Sequence, residues 1–340
     1  MRNDACRFIL VSDALETDQL EAIETALPRG DSCWQLLKAN SRTDMRALPL
    51  EAIEGIYISV DVLGESSKDQ LTPLMSLFCE IALNAPRLRW LQASSAGLDR
   101  PQFQTLLERG VTLTHAGGVA AKTVAQAAIT GLLALGRELP KFMALQGAHR
   151  WAPARGTDAP YDIGGQTAIV VGLGAIGQEI VRLCQALDIT VIGFNRQGKT
   201  PENLDIEAYS VSQIGHYLDK ADWLILSCPL TTETHHLIGA EQLSRLKPNA
   251  HLIDVSRGGV VNTQHLLMAL QRNAFAGAYL DVFETEPLPI DSPFWDLPNV
   301  IITPHAAGDS KGRGQKLTDL FIRNLKRFIA DESLINSVKQ

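Results

Sequence analysis

Short apolar runs rich in β-branched residues alternate along this chain with segments whose apolar positions recur on a helical period. Phe8-Ile-Leu-Val-Ser12 is followed by Leu15, Leu20, Ile23 and Leu27 on one helical face, which stops at Pro28. Gly55–Val60 reads as the next strand, Leu71–Leu83 as a helix behind a Thr72-Pro73 start, Arg89–Ser94 as a strand, and Val111–His115 as another. After Gly117-Gly118, a natural hinge, residues 119–139 are apolar or small on nearly every face, which predicts a buried helix. Two readings stand for it: an element joining two domains, its small residues allowing close packing against a second subunit, or simple core burial. Trp151–Tyr161, with three prolines, predicts a surface loop.

The alternation resumes at Thr167. Strands are predicted at Thr167–Val171, Thr190–Phe194, Trp223–Cys228, His251–Ser256, Gly277–Asp281 and Asn299–Thr303. Helices are predicted over Gln178–Leu187, Val211–Leu218, Ala240–Leu246 and Thr263–Leu270. Leu317, Leu320, Phe321, Leu325, Phe328 and Ile329 define a closing amphipathic helix. Strand alternating with helix implies an α/β protein with parallel sheets, whose ligands bind beyond the carboxyl ends of the strands.

Between the first two strands of the second series lies Gly172-Leu-Gly-Ala-Ile-Gly177, a G-x-G-x-x-G turn opening into a helix. The first glycine permits the turn, the second lets backbone approach a pyrophosphate, and the third lets helix pack on strand. The amides of Gly174, Ala175, Ile176 and Gly177 then stand at a helix N-terminus, which favours an anion. The residue facing the adenosine ribose, about twenty positions on, is acidic in NAD-selective sites. Here it is Asn195, followed by Arg196. No carboxylate repels a 2′-phosphate and a guanidinium is available to pair with one, so NADP is the preferred cofactor and NAD the alternative. Arg196 stacking on adenine is the competing role.

Composition narrows the class. At 340 residues the chain suits two domains, and its formal net charge of −7, without clustered Lys or Arg, gives no surface for nucleic acid. Five scattered cysteines without a C-x-x-C pair predict neither a disulfide framework nor a zinc site and fit a reducing cytoplasm. His235-His236 lacks further ligands at suitable spacing and reads as a solvated loop, so no metal is expected. The N-terminus has too short an apolar run for a signal peptide, and no stretch is suited to a membrane span.

Three strand ends carry polar groups: Ser256-Arg-Gly-Gly259, Asp281-Val-Phe-Glu-Thr-Glu-Pro287 and Thr303-Pro-His-Ala-Ala-Gly308. Reducing a 2-oxo acid needs a cation for the carboxylate and carbonyl, an acid to protonate the oxygen, and a carboxylate to keep that acid charged. Arg257, His305 and Glu286 are candidates for these roles. Singly, each also reads as a surface charge or a packed histidine.

Together with Cys228-Pro-Leu-Thr-Thr-Glu-Thr234, Ile253-Asp-Val-Ser-Arg-Gly-Gly259, Leu280–Pro289, Asn299–His305 and the closing Leu334-Ile-Asn-Ser-Val338, these segments resemble the D-isomer-specific 2-hydroxyacid dehydrogenase family over nearly the whole chain. The resemblance implies that Arg257, Glu286 and His305 are the catalytic set, with Glu286 preferred to Glu284 because it directly precedes Pro287. It implies that Ser95, Ala96 and Gly97 offer amides to the substrate carboxylate, beside Arg257 and His305. It implies cofactor contacts from the glycine turn, Asn195, Arg196, Cys228, Pro229, Thr234, Val255 and Asp281. It further implies two Rossmann-like or flavodoxin-like domains: a substrate domain from residues 1–117 and 307–340, with a cofactor domain, 118–306, inserted into it, and a homodimer. Asn195-Arg196 resembles the NADPH-using glyoxylate and hydroxypyruvate reductases, which suggests a small 2-oxo acid as substrate. Val124-Ala-Gln126 departs from the family's Val-Ala-Glu and puts any ion pair there in doubt. The alternative is a non-catalytic dinucleotide sensor like the corepressors that share this fold.

Overall fold

A computed structural model describes residues 6–28, 34–66, 70–95, 97–98 and 100–338. The chain forms two compact units, one from Met1–Val119 with Ser310–Gln340 and one from Ala120–Asp309.

The first unit holds strands β1 (Arg7–Ser12), β2 (Trp34–Ala39), β3 (Ile53–Ile58), β4 (Trp90–Ala93) and β5 (Thr112–Thr114) in the order β2-β1-β3-β4-β5, all parallel. This is the flavodoxin-like order. The sheet is covered on both faces, which is why its strands read as apolar runs and not as alternating ones. Leu10 and Ile56 pack with Phe78 and Phe103 on one face, while Ile9 and Tyr57 pack with Trp90, Phe321 and Leu325 on the other. Phe321 comes from the closing helix Arg313–Ile329 and stacks on Tyr57 at 4.2 Å and on Trp90 at 5.1 Å. Ser337–Val338 adds a short antiparallel strand beside β5.

The second unit has seven parallel strands: β6 (Thr167–Val171), β7 (Thr190–Asn195), β8 (Glu207–Ser210), β9 (Trp223–Leu226), β10 (His251–Asp254), β11 (Gly277–Leu280) and β12 (Val300–Ile302). Their order, β12-β11-β10-β9-β6-β7-β8, contains the Rossmann sequence of strands. Since β6 pairs with β7 on one side and β9 on the other, the order reverses at β6, and the glycine turn lies at this switch point.

Several elements depart from the pattern reading. The segment predicted as a helix over 211–218 consists of 3-10 turns at Val211–His216 and Leu218–Lys220. The apolar helix spans Ala121–Gly136, and Glu138, at φ +53°, separates it from a second helix, Leu139–Gly147, with a proline at its start. Ala125, Ala128 and Leu132 of the first helix lie fully buried in the core of the second unit, and Gly131 faces Tyr279. Its small residues therefore serve core packing. Strand β2 goes beyond the pattern reading: its half-exposed run Trp34–Ala39 lacks clear alternation, although Pro28, Gly30 and Asp31 before it are usable turn signals. Cysteine spacing also misled: Cys79, Cys184 and Cys228 are buried free thiols, but Cys6 is disulfide-bonded. Such a bridge depends on which strands the fold brings together, and spacing alone does not report that. Cys33 lies outside the described residues.

Candidate active site

The glycines of the turn have different jobs. Gly172 sits at φ +96°, and a Cβ there would lie 2.6 Å from the Cys228 amide nitrogen. At Gly177 a Cβ would fall 1.8 Å from the Gly172 carbonyl oxygen. Both are required by the protein's own packing. Gly174 has nothing within 4 Å of a virtual Cβ, so its bareness serves no internal contact. It is the N-cap of the helix Ala175–Gln185, which no side chain caps, leaving open space before unsatisfied amides and the positive end of the helix dipole. These residues fit a dinucleotide's pyrophosphate.

Around the turn, the Asn195 side chain donates from Nδ2 to the Lys199 carbonyl at 2.6 Å and accepts from its amide at 3.3 Å, closing its own loop. Arg196 extends outward, 77% exposed, 3.8 Å from Glu233. Beyond β9, Thr234 Oγ1 donates to the Pro229 carbonyl at 2.7 Å and accepts from the Thr231 amide at 2.7 Å, pinning that loop. Cys228 and Val255 are buried. Burial, reinforced by Asp254, pushes the Cys228 thiol up to about 12.

The three strand-end segments converge. Glu286 Oε2 lies 2.8 Å from His305 Nδ1, and its Oε1 accepts from the Phe283 amide at 3.0 Å. Burial alone would raise the Glu286 carboxyl; the His305 and Phe283 hydrogen bonds and the charges of His305 and Arg257 outweigh it and hold the carboxyl below its usual range. His305 is raised, chiefly by the hydrogen bond to Glu286 with that residue's charge and Asp281 adding, against burial and the Arg257 charge. With Nδ1 engaged by the carboxylate, Nε2 is the ring nitrogen left for other partners. His305 stands at φ +54°, a left-handed conformation sparsely populated by residues with a Cβ.

That backbone is held by Asp281. The Asp281 carbonyl accepts from the His305 amide at 2.9 Å, and Oδ1 of its side chain accepts from Thr303 Oγ1 at 2.6 Å, Ala306 N at 2.9 Å and Ala307 N at 3.1 Å. The sequence assigned Asp281 to the cofactor; its carboxylate is fixed on the His305 loop. Asp254, at the end of β10, was not singled out by the sequence reading, although an acid closing the apolar run Leu252-Ile-Asp254 was a usable signal. Burial pushes its carboxyl up to about 7, and its Oδ1 accepts from Ser256 N at 2.9 Å and Ser256 Oγ at 2.5 Å, shaping the turn before Arg257. Arg257 Nη1 donates to the Ser256 carbonyl at 2.7 Å. His236 Nε2, in the loop read as solvated, lies 2.9 Å from Glu284. Among the described residues no cluster of His, Cys, Asp or Glu could hold a metal ion, and no helix is long and apolar enough to cross a membrane.

The turn assigned to the substrate carboxylate belongs to the first unit. Ser95 Oγ donates to the Gly97 carbonyl at 2.7 Å, and the Ser95 carbonyl accepts from Ala116 N at 2.9 Å. Ala96 lies outside the described residues.

A seven-strand Rossmann sheet with a carboxylate–histidine dyad and an arginine at its strand ends defines a nucleotide-dependent oxidoreductase class. Residues 129–307 match the NAD-binding domain of D-isomer specific 2-hydroxyacid dehydrogenases. The chain is 32% identical to a glyoxylate reductase of Korarchaeum cryptofilum, over 80% of its own length and 83% of the relative's. It is 34% identical to glyoxylate/hydroxypyruvate reductase B of Pectobacterium carotovorum, covering 75% and 80%. The crystal structure of an NADPH-dependent glyoxylate/hydroxypyruvate reductase from Sinorhizobium meliloti superposes with a TM-score of 0.73 at 26% identity, covering 98% and 97%. The chain belongs to the D-isomer specific 2-hydroxyacid dehydrogenase family. It is an NAD(P)-dependent oxidoreductase acting on small 2-oxo or 2-hydroxy acids.

Proposed function

We propose that the protein is an NADPH-preferring reductase of glyoxylate- or hydroxypyruvate-like 2-oxo acids, with Arg257, Glu286 and His305 as its catalytic residues. The observation that carries this reading is the 2.8 Å contact of Glu286 with His305 Nδ1, which favours the charged imidazole and leaves its Nε2–H free to act as acid. Bound NADPH supplies the hydride for the carbonyl carbon. The chain's part is to hold the acid's carboxylate on Arg257 and to deliver the His305 Nε2 proton to the carbonyl oxygen, giving the 2-hydroxy acid. Glu286 keeps the imidazole loaded. Gly172–Gly177 would take the pyrophosphate, and Arg196, unopposed by an acid at position 195, the 2′-phosphate.

The similarity to two reductases of glyoxylate and hydroxypyruvate supports the substrate class. The corepressor-like alternative gains nothing from them. On this reading Ala120–Asp309 is the cofactor domain and the other unit the substrate domain. Within the cofactor domain, Met143, Trp151 and Tyr161 are 62%, 97% and 72% exposed, an apolar stretch suited to a second copy, so we assign a homodimer. The three buried free thiols suit the cytoplasm, with the Cys6 bridge pulling the other way.

Glyoxylate and hydroxypyruvate assayed with each cofactor test the proposal. NADPH should give the higher kcat/KM, and Arg196→Ala should lower that for NADPH by about tenfold or more, the scale of a charge-assisted phosphate contact, while sparing NADH. No turnover of any 2-oxo acid would sink the reductase reading, and an unchanged cofactor ratio in the variant would sink the role of Arg196.

A further inference from the structure

The motif Glu284-Thr285-Glu286 offers two carboxylates, and the structure sends them to different histidines. Glu286 meets His305. Glu284 Oε1 lies 2.9 Å from His236 Nε2 and also accepts from the Thr263 amide at 3.3 Å, at the N-terminus of the helix Thr263–Gln271. The His236 tautomer follows from its neighbours. Asn262 caps that helix by accepting from the His265 amide through Oδ1 at 3.0 Å, so its Nδ2 is the atom 3.4 Å from His236 Nδ1. An amide donor at Nδ1 leaves the ring proton on Nε2, where it donates to Glu284.

The backbone around this pair joins the loops that carry the catalytic set. The His236 amide donates to the Gly259 carbonyl at 2.8 Å, tying it to the turn that bears Arg257. Gly258 of that turn lies flat on the other partner, since a Cβ there would fall 2.0 Å from the Phe283 carbonyl and 2.4 Å from the Glu284 nitrogen. Phe283 in turn donates to Glu286. The His236 loop, the Arg257 turn and the Phe283–Glu286 segment thus interlock, and the His236–Glu284 hydrogen bond joins the first to the third through side chains. His236 holds its place at φ +51°, a conformation asparagine also tolerates.

We infer that His236 and Glu284 are positioning residues that clamp the Arg257 turn to the Phe283–Glu286 segment, and so set where Glu286 stands beneath His305. The inference rests on the reductase reading for its kinetic consequence and on geometry alone for its structural one. Both side chains are about one-third exposed, at 38% and 35%, so the pair contributes little to stability. Its effect belongs on turnover, because small misplacements of a catalytic group are costly in rate.

His236→Asn keeps a residue suited to the positive φ but shortens the reach to Glu284; His236→Gln restores a donor near the Nε2 position. The Asn variant and Glu284→Ala should each lower kcat about tenfold, with KM and cofactor affinity little changed, and the double variant should lose no more than either single one. The Gln variant should recover part of the loss. An NMR titration of His305 reads the clamp without turnover: Glu286, Asp281 and Arg257 face this ring, and slackening Glu286 in the Asn variant should move its midpoint downward. An unchanged His305 titration, or single losses that multiply in the double variant, would overturn the clamp. A shifted titration in a protein that reduces no 2-oxo acid would uphold the clamp and reject the reductase reading.

Discussion

At His305 and Glu286 the two perturbations have opposite sense and make one pH window. His305 is raised, so its contribution to stability is complete below its unfolded value and fades as pH climbs through the higher folded one. Glu286 is lowered, so its contribution is present above its unfolded value and fades as pH falls through the lower folded one. The pair is strongest between them, with the carboxylate ionised and the imidazole charged. Reduction needs that charged imidazole, so kcat/KM for a 2-oxo acid should fall as pH rises through the His305 value. Glu286→Gln removes the leading cause of the raised value, and its alkaline limb should move to lower pH, with a loss near neutrality of roughly 10²-fold or more. A pH–rate profile of the two proteins checks this; coincident limbs would remove Glu286 from the role.

Among the elements, the glycine turn and the helix it opens were legible because their constraints are local. A positive φ, a close helix–strand approach and a bare N-terminus each demand glycine within six positions. The two Cβ environments then separate folding from binding. Gly177→Ala drives a methyl into the Gly172 carbonyl and should depress Tm or prevent folding. Gly174→Ala meets open space and should leave Tm nearly unchanged while weakening cofactor binding, measured by fluorescence titration. Loss of Tm in the second variant would show that the space is not reserved for a ligand. Legibility faded where the cause was tertiary. Strand β8 at Glu207–Ser210 is half-exposed at the sheet edge and carries little apolar signal. Asp281 looks in sequence like any acid beyond a strand, and its hold on the His305 loop exists only once β11 and β12 lie side by side. His236 and Glu284 are 48 positions apart, so neither announces the other.

For the whole molecule, the proposed homodimer draws its support from apolar side chains that no core of the described residues takes in. The helix Leu139–Gly147 buries none of its residues, and Trp151 is 97% exposed. Sedimentation should give twice the chain mass for the wild type. Met143→Glu combined with Trp151→Glu should shift it toward the monomer, since two new carboxylates would have to be desolvated in the contact. A wild type that sediments as a monomer would end the dimer assignment. The stacking of Phe321 on Tyr57 and Trp90 has a consequence in time. The first unit is begun by residues before Ala120–Asp309 and completed by the helix Arg313–Ile329 after it, with that whole insert translated between. While a ribosome makes that insert and the segment after it, on the order of ten seconds or more at ordinary elongation rates, the aromatic face awaiting Phe321 is bare on the nascent chain. The segment made before the insert thus finishes folding only after the insert has been made, and in that interval it is a natural client for a chaperone.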